Sequence, residues 1–255
     1  MNPVVPSSSK SAAARAGGSV WAERQSAAWF VVGVFATLLT MLVVDRPLAS
    51  AVRDWPTLAA YVGAVTNDIK GFYLIALALL AALLSLLAFF LGPHRTRAAF
   101  REGAVAAGFV FAVTTIGLVA VTILKISIGR ARPELFATYG PFAFSPFSTA
   151  KEMNSFPSGE ATMATAFFGA LACMAWDRLG RAWAAVVILP AVLIAVSRVI
   201  VGAHYASDVL AAIVLALSLL AWLYPRAIER HAAIAGALDR QRARLRKAPS
   251  DSARA

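Results

Sequence analysis

Apolar residues gather into six runs along the chain, roughly 26–44, 72–91, 103–124, 161–176, 182–201 and 208–224. Each run approaches the ~20 residues a helix needs to cross a bilayer core. None shows the apolar–polar alternation of a barrel strand, and inside lipid only helices or closed barrels satisfy the backbone. The pattern therefore predicts an all-α polytopic membrane protein, a bundle of six transmembrane helices. It divides the chain into a polar N-terminal tail (1–25), a membrane domain (26–224) and a basic C-terminal tail (225–255). About 36 residues separate the third and fourth runs, a connection long enough to carry function.

Composition sharpens this picture. Of 255 residues, 60% are hydrophobic and 15% charged, with a mean hydropathy of +0.71, whereas soluble domains carry about 25% charge. The single cysteine, Cys173, excludes an intrachain disulfide framework and a cysteine-based metal cluster. A net charge of +11 would suggest nucleic acid, but 16 of the 24 Lys and Arg fall in the two tails and two short connections. Flanking charge of this kind orients a membrane protein, so no nucleic-acid partner is expected. The first apolar run lacks a small-residue cleavage site and reads as an uncleaved helix. Both termini are then cytoplasmic, and the connection after the third run lies outside. Pro190 should kink the fifth span. Ala161, Thr165 and Gly169, four apart, suggest close helix packing along the fourth. The tail beyond Tyr224 reads equally as a basic helix on an anionic leaflet or as a solvated topogenic segment.

Three polar clusters gather at the outer ends of spans three to six. Lys125 precedes Arg132, which is followed by Pro133, by seven positions, a spacing that on a helix would put both cations on one face. Pro157, Ser158, Gly159 and Glu160 open the fourth span. Ser197 and Arg198 are followed by His204 and Asp208, four apart and stacked on one face if helical. Lys125, Arg132 and Arg198 concentrate positive charge, and guanidinium forks suit phosphate oxygens. Ser158 and Gly159 at a helix start expose backbone N–H groups to an anion. His204 can attack phosphorus through one ring nitrogen while Asp208 orients the other. Singly, each residue has an ordinary explanation: snorkelling cations, a common helix start, a local His–Asp bond. Together they describe a site for a tetrahedral oxyanion at the outer face.

These motifs resemble the three-part signature of the type 2 phosphatidic acid phosphatase superfamily, over about 84 residues from Lys125 to Asp208. The resemblance implies a six-helix, metal-independent lipid phosphatase that uses no cofactor and works through a phosphohistidine. Position by position, His204 is the implied nucleophile and Asp208 its partner. Lys125, Arg132, Ser158, Gly159 and Arg198 form the implied phosphate-binding set.

One position departs from the pattern. The family's usual acid after Pro-Ser-Gly is His, and here it is Glu160. A carboxylate beside bound phosphate can be kept protonated and serve as general acid. Alternatively, Glu160 only sits well in a first helical turn, and the leaving group is good enough to need little acid. Some lipid A phosphatases of the superfamily resemble this chain in a Ser-Phe-x-Ser-Gly-Glu context, as in 155–160, which tilts the expected substrate towards lipid A. Phe136, Tyr139, Phe142, Phe144, Phe147 and Phe156 could cap the site or form an interfacial belt. Arg130 and Lys151 could help bind a second phosphate but read rather as solvated loop charges, and His94 and His231 lie on the inner side.

The implied protein is an enzyme of a bacterial inner membrane, its site facing the periplasm. It would remove phosphate from a lipid: lipid A, polyprenyl diphosphate such as undecaprenyl diphosphate, phosphatidic acid or phosphatidylglycerophosphate. Two other readings are a phosphotransferase using a polyprenyl diphosphate donor and a non-catalytic phospholipid-binding or transport protein. The bilayer and its lipids are the expected partners, and the sequence does not specify an oligomeric state.

Overall fold

The computed structural model describes residues 27–68, 70–93 and 95–247, with side chains as far as residue 230. The N-terminal tail, His94 and the side chain of His231 lie outside the described residues. Helices run in the order α1 (Ala27–Val43), α2 (Asp45–Arg53), α3 (Pro56–Thr66), α4 (Gly71–Leu91), α5 (Arg97–Ile128), α6 (Phe136–Tyr139), α7 (Gly159–Leu179), α8 (Arg181–Ile200) and α9 (Ala206–Lys247). Among the described residues there is no strand, only an isolated bridge between Arg130 and Phe144.

Four stretches are long and apolar enough to cross a membrane: Pro56–Leu91, Arg97–Ile128, Arg181–Ile200 and Ala206–Arg230. A fifth arises if α1 and α2, bent by 55°, count as one broken span. The exposed Leu, Val and Phe side chains of α1, α4 and α8 agree with lipid contact. Helix α7, expected from its apolar run to be a span, is not among these stretches. Its surroundings explain the lower apolarity: it packs against α4, α5, α8 and α9, so protein rather than lipid surrounds it. Its buried face is built of Ala161, Thr165, Ala166, Gly169 and Ala170, small residues that let neighbouring backbones approach. At Gly169 a Cβ would stand 2.5 Å from Leu220 of α9.

Pro190 lies inside α8, which continues without a break, and α9 runs through Pro225. Gly129 ends α5 in the left-handed region (φ +62°), donating to Lys125 O at 2.9 Å, a conformation that favours glycine. A Cβ there would fall 1.7 Å from Ser145 O. The loop is stapled to this helix end by Ser145 N–H to Gly129 O (2.7 Å) and Phe147 N–H to Ile126 O (2.7 Å). Arg130 is thereby turned inward.

Candidate active site

The C-terminal ends of α5 and α8 and the N-terminal ends of α7 and α9 converge, bringing the three clusters together. Helix α7 begins at Gly159 with Ser158 as its N-cap residue. The Ser158 N–H donates to Asp208 O at 3.0 Å, which ties the start of α7 to the start of α9. Ser158 Oγ, fully buried, has no hydrogen-bond partner. The first N–H groups of a helix likewise lack partners within it, so an unused hydroxyl and a positive helix end share one place.

His204 sits in the turn between α8 and α9, two residues before α9 begins, rather than on the helix with Asp208. The two side chains still meet, with Nδ1 3.6 Å from Asp208 Oδ2. That is an ion-pair separation, longer than a hydrogen bond, and Nδ1 has no hydrogen-bond partner. On the other side of the ring, Nε2 lies 3.7 Å from Glu160 Oε2. The imidazole is thus held between two carboxylates, one fully buried and one a third exposed.

Lys125 and Arg198 both act electrostatically on Glu160. Lys125 Nζ donates to Asn154 O at 2.7 Å, and its Cε would lie 3.6 Å from a Cβ on Gly159. Arg198, buried, donates through Nε to Ser197 Oγ (3.2 Å) and through Nη2 to Thr66 Oγ1. Arg132 corrects the expectation of a shared helix face. Helix α5 stops at Ile128, and Arg132 lies beyond it in the loop, just before the turn Pro133–Leu135. Its backbone N–H donates to Glu152 O (2.8 Å) and its Nε to Lys151 O (3.0 Å). It still stands near enough to Lys125 to repel it.

Arg130 corrects a second expectation. Rather than a solvated loop charge, it is fully buried. Its Nη1 donates to Asp208 Oδ1 (2.6 Å) and Ser207 Oγ (2.7 Å), and its Nη2 to Asp45 Oδ2 (2.7 Å). The Tyr205 ring stacks over it at 4.2 Å, and burial pushes the Tyr205 hydroxyl up to about 12. Asp208 Oδ2 accepts from Ser155 Oγ (2.5 Å) and Tyr205 N–H (2.9 Å). Four residues of the site were therefore missed: Asp45, Arg130, Ser155 and Ser207. One signal was available, since a carboxylate directly at the end of an apolar run, as Asp45 is, is costly near a membrane core and marks a partnered site.

A cavity of about 320 Å³ adjoins His204, bounded by Arg53, Pro56, Glu134, Val201 and Tyr205. In the loop between α5 and α7, Tyr139, Phe142, Phe144 and Phe147 are exposed.

Comparison with known proteins agrees with this arrangement. Two curated relatives are both lipid A 1-phosphatases. The protein from Rhizobium johnstonii is 46% identical over 101 residues, covering 40% of this chain and 39% of the relative. That from Rhizobium etli is 42% identical over 103 residues, covering 40% of this chain and 42% of the relative. The chain thus matches about two fifths of the length of these relatives. In three dimensions it resembles the crystal structure of a transmembrane PAP2 type phosphatidylglycerolphosphate phosphatase from Bacillus subtilis. The TM-score is 0.55 and the identity 20%, over 79% of this chain and 96% of the other, a likeness of fold. The model of the PAP2 superfamily matches residues 103–231, a segment that contains the three clusters from Lys125 to Asp208. With its helical architecture and the convergence of the three clusters, the chain belongs to the PAP2 superfamily.

Proposed function

We propose that this protein is an integral membrane lipid phosphatase that cleaves a phosphate monoester or diphosphate of a lipid through a phosphohistidine. The observation that carries the reading is His204, buried, with Nδ1 on Asp208 and Nε2 facing Glu160, beside Lys125, Arg198 and the open end of α7. Phosphate binds between Nε2 and Glu160, held by Lys125, Arg132, Arg198, Ser158 Oγ and the N–H of Gly159. Nε2 forms a bond to phosphorus as the bond to the leaving oxygen breaks. That oxygen keeps the bonding pair and takes a proton from Glu160. Glu160 then accepts a proton from water, whose oxygen attacks phosphorus and releases the histidine. The charge on phosphate is met by side chains and backbone dipoles, so the reaction proceeds without metal.

Lipid A is the favoured substrate, because the curated relatives are named lipid A 1-phosphatases and a 1-phosphate leaves from an anomeric sugar oxygen, a comparatively good leaving group. The cavity beside His204 offers room for part of the substrate outside the phosphate. In this reading α7 is also a span, the fourth of six in chain order, shielded from lipid by its neighbours. The chain sits in a bacterial inner membrane with both termini cytoplasmic and the site facing the periplasm, consistent with its charge distribution.

The test is phosphate release by purified, detergent-solubilised protein in EDTA, from lipid A, undecaprenyl diphosphate, phosphatidic acid and phosphatidylglycerophosphate. Release from lipid A that disappears in His204→Ala supports the proposal. Release that survives this substitution overturns the mechanism, and release from another lipid alone overturns the substrate.

A further inference from the structure

Three charged side chains at the outer end are fully buried and bonded to one another: Asp45, Arg130 and Asp208. Arg130 contacts both carboxylates through different nitrogens of its fork and also donates to Pro141 O from Nη2 (2.9 Å) and Nε (3.1 Å). The other oxygen of Asp45 accepts the Ser207 N–H at 3.0 Å. Helix α2 thereby reaches the start of α9. Asp45 lies outside the segment matched by the superfamily model, which begins at residue 103.

The charge count of this cluster bears on the reaction. Arg130 and Asp208 alone would be neutral, and Asp208 would have no unbalanced charge for His204. Asp45 adds a second carboxylate to the same guanidinium, so the cluster carries one net negative charge. It faces Nδ1 of His204 through Asp208 Oδ2 at 3.6 Å. When Nε2 bonds phosphorus and the leaving oxygen departs with its electron pair and a proton from Glu160, the ring keeps its Nδ1 proton and becomes a cation. A buried counter-charge stabilises that state more than the neutral ring, because the interior screens charge weakly. We propose that Asp45 is a positioning residue for the phosphoryl-transfer step: it neutralises Arg130, so that Asp208, locked in place by Arg130, presents a full negative charge to the phosphorylated His204. The inference rests on the phosphohistidine reading above.

Asp45 could instead merely tie α2 to α9, and the experiment separates the two. Wild type, Asp45→Asn and the double variant Asp45→Asn with Arg130→Gln are purified in detergent. Turnover on the lipid phosphate is measured together with the affinities for inorganic phosphate and for vanadate, which accepts a bond from histidine and mimics the transition state. For Asp45→Asn the expectation is a kcat about 10–100-fold lower with KM unchanged, and vanadate affinity weakened in parallel while phosphate affinity holds. The double variant restores a net charge of one and should exceed the single by at least about fivefold in kcat, a coupling that simple packing would not produce. Should Asp45→Asn not fold, the double variant decides, since it leaves no unpaired buried cation; vanadate binding tighter than phosphate binding is then the supporting result. Wild-type kcat and vanadate affinity in Asp45→Asn, equal weakening of both anions, or a double variant weaker than the single would overturn the proposal. Wild-type protein that binds vanadate no better than phosphate would overturn the phosphohistidine reading itself, and this inference with it.

Discussion

Asp208 Oδ2 stands 3.6 Å from His204 Nδ1 while accepting bonds from Ser155 Oγ and the Tyr205 N–H. The oxygen that faces the proposed nucleophile is itself fixed from two sides, and its partner oxygen is fixed by Arg130. Precision of this kind matters because reacting groups must be held close to productive geometry. The residues that supply it come from well-separated parts of the chain.

The first prediction concerns the proposed nucleophile. His204→Ala should abolish lipid phosphate release, a loss of at least about 10³-fold, since no other side chain replaces the covalent step. Circular dichroism and melting in detergent should remain close to wild type. Acid-stable trapping is not expected, so the phosphoenzyme is sought by rapid quench at alkaline pH, where wild type should show it and the variant should not.

Glu160 should limit both binding and turnover. The 3.7 Å between its Oε2 and His204 Nε2 is too short for an in-line phosphoryl group, which needs roughly 6 Å for two reactive contacts. Glu160, a third exposed, must therefore swing aside when phosphate enters. Glu160→Gln should bind inorganic phosphate more tightly, because a competing anion is gone, yet turn over an alkyl phosphate monoester about 10²-fold more slowly. Glu160→His should recover much of that turnover. Calorimetric phosphate titration and steady-state kinetics on the same preparations check both halves, and equal turnover in all three proteins would remove Glu160 from the acid role.

Ser155→Ala should lower kcat rather than raise KM. The hydroxyl donates to Asp208 at 2.5 Å and is fully buried, and losing a hydrogen bond to a charged group costs about 1.5–3 kcal/mol. Part of that cost appears as a misaligned His204, so kcat on lipid phosphate should drop about tenfold. A change confined to KM would argue that Ser155 meets the substrate instead.

Gly129→Ala tests the turn that aims Arg130. Alanine brings both a left-handed backbone penalty and a clash, its Cβ falling 1.7 Å from Ser145 O. The loop must lift from the end of α5, and a destabilisation of at least about 2 kcal/mol is expected. Thermal unfolding in detergent should show a lowered midpoint. Residual activity should fall further than in Gly108→Ala, where, outside the adjoining backbone of its own helix, nothing lies within 4 Å of the added carbon.

Much of this protein was legible in the linear sequence, and the reason is local. Helical spans announce themselves through unbroken apolar runs, because lipid forces the backbone to satisfy itself within each segment. Lys125, Ser158, Arg198, His204 and Asp208 stood out because polar side chains at such positions are costly without a purpose. The central helix α7 was seen as an apolar run, but its role as the buried axis of the bundle depends on which neighbours cover it, and hydropathy does not carry that information.

What tertiary structure alone decided was how the polar residues pair. Arg130 and Arg132 are two residues apart and chemically alike; the left-handed turn at Gly129 sends Arg130 into the interior, while Arg132 stays half-buried, its side chain bonded to the Lys151 carbonyl. His204 and Asp208 approach each other from a turn and a helix, not from one helical face. Asp45, Ser155 and Ser207 join the site across long sequence separations, up to the 162 residues between Asp45 and Ser207. Sequence spacing determines neighbours only within a helix. Between helices, the bends of the chain and the need to neutralise buried charge decide which groups meet.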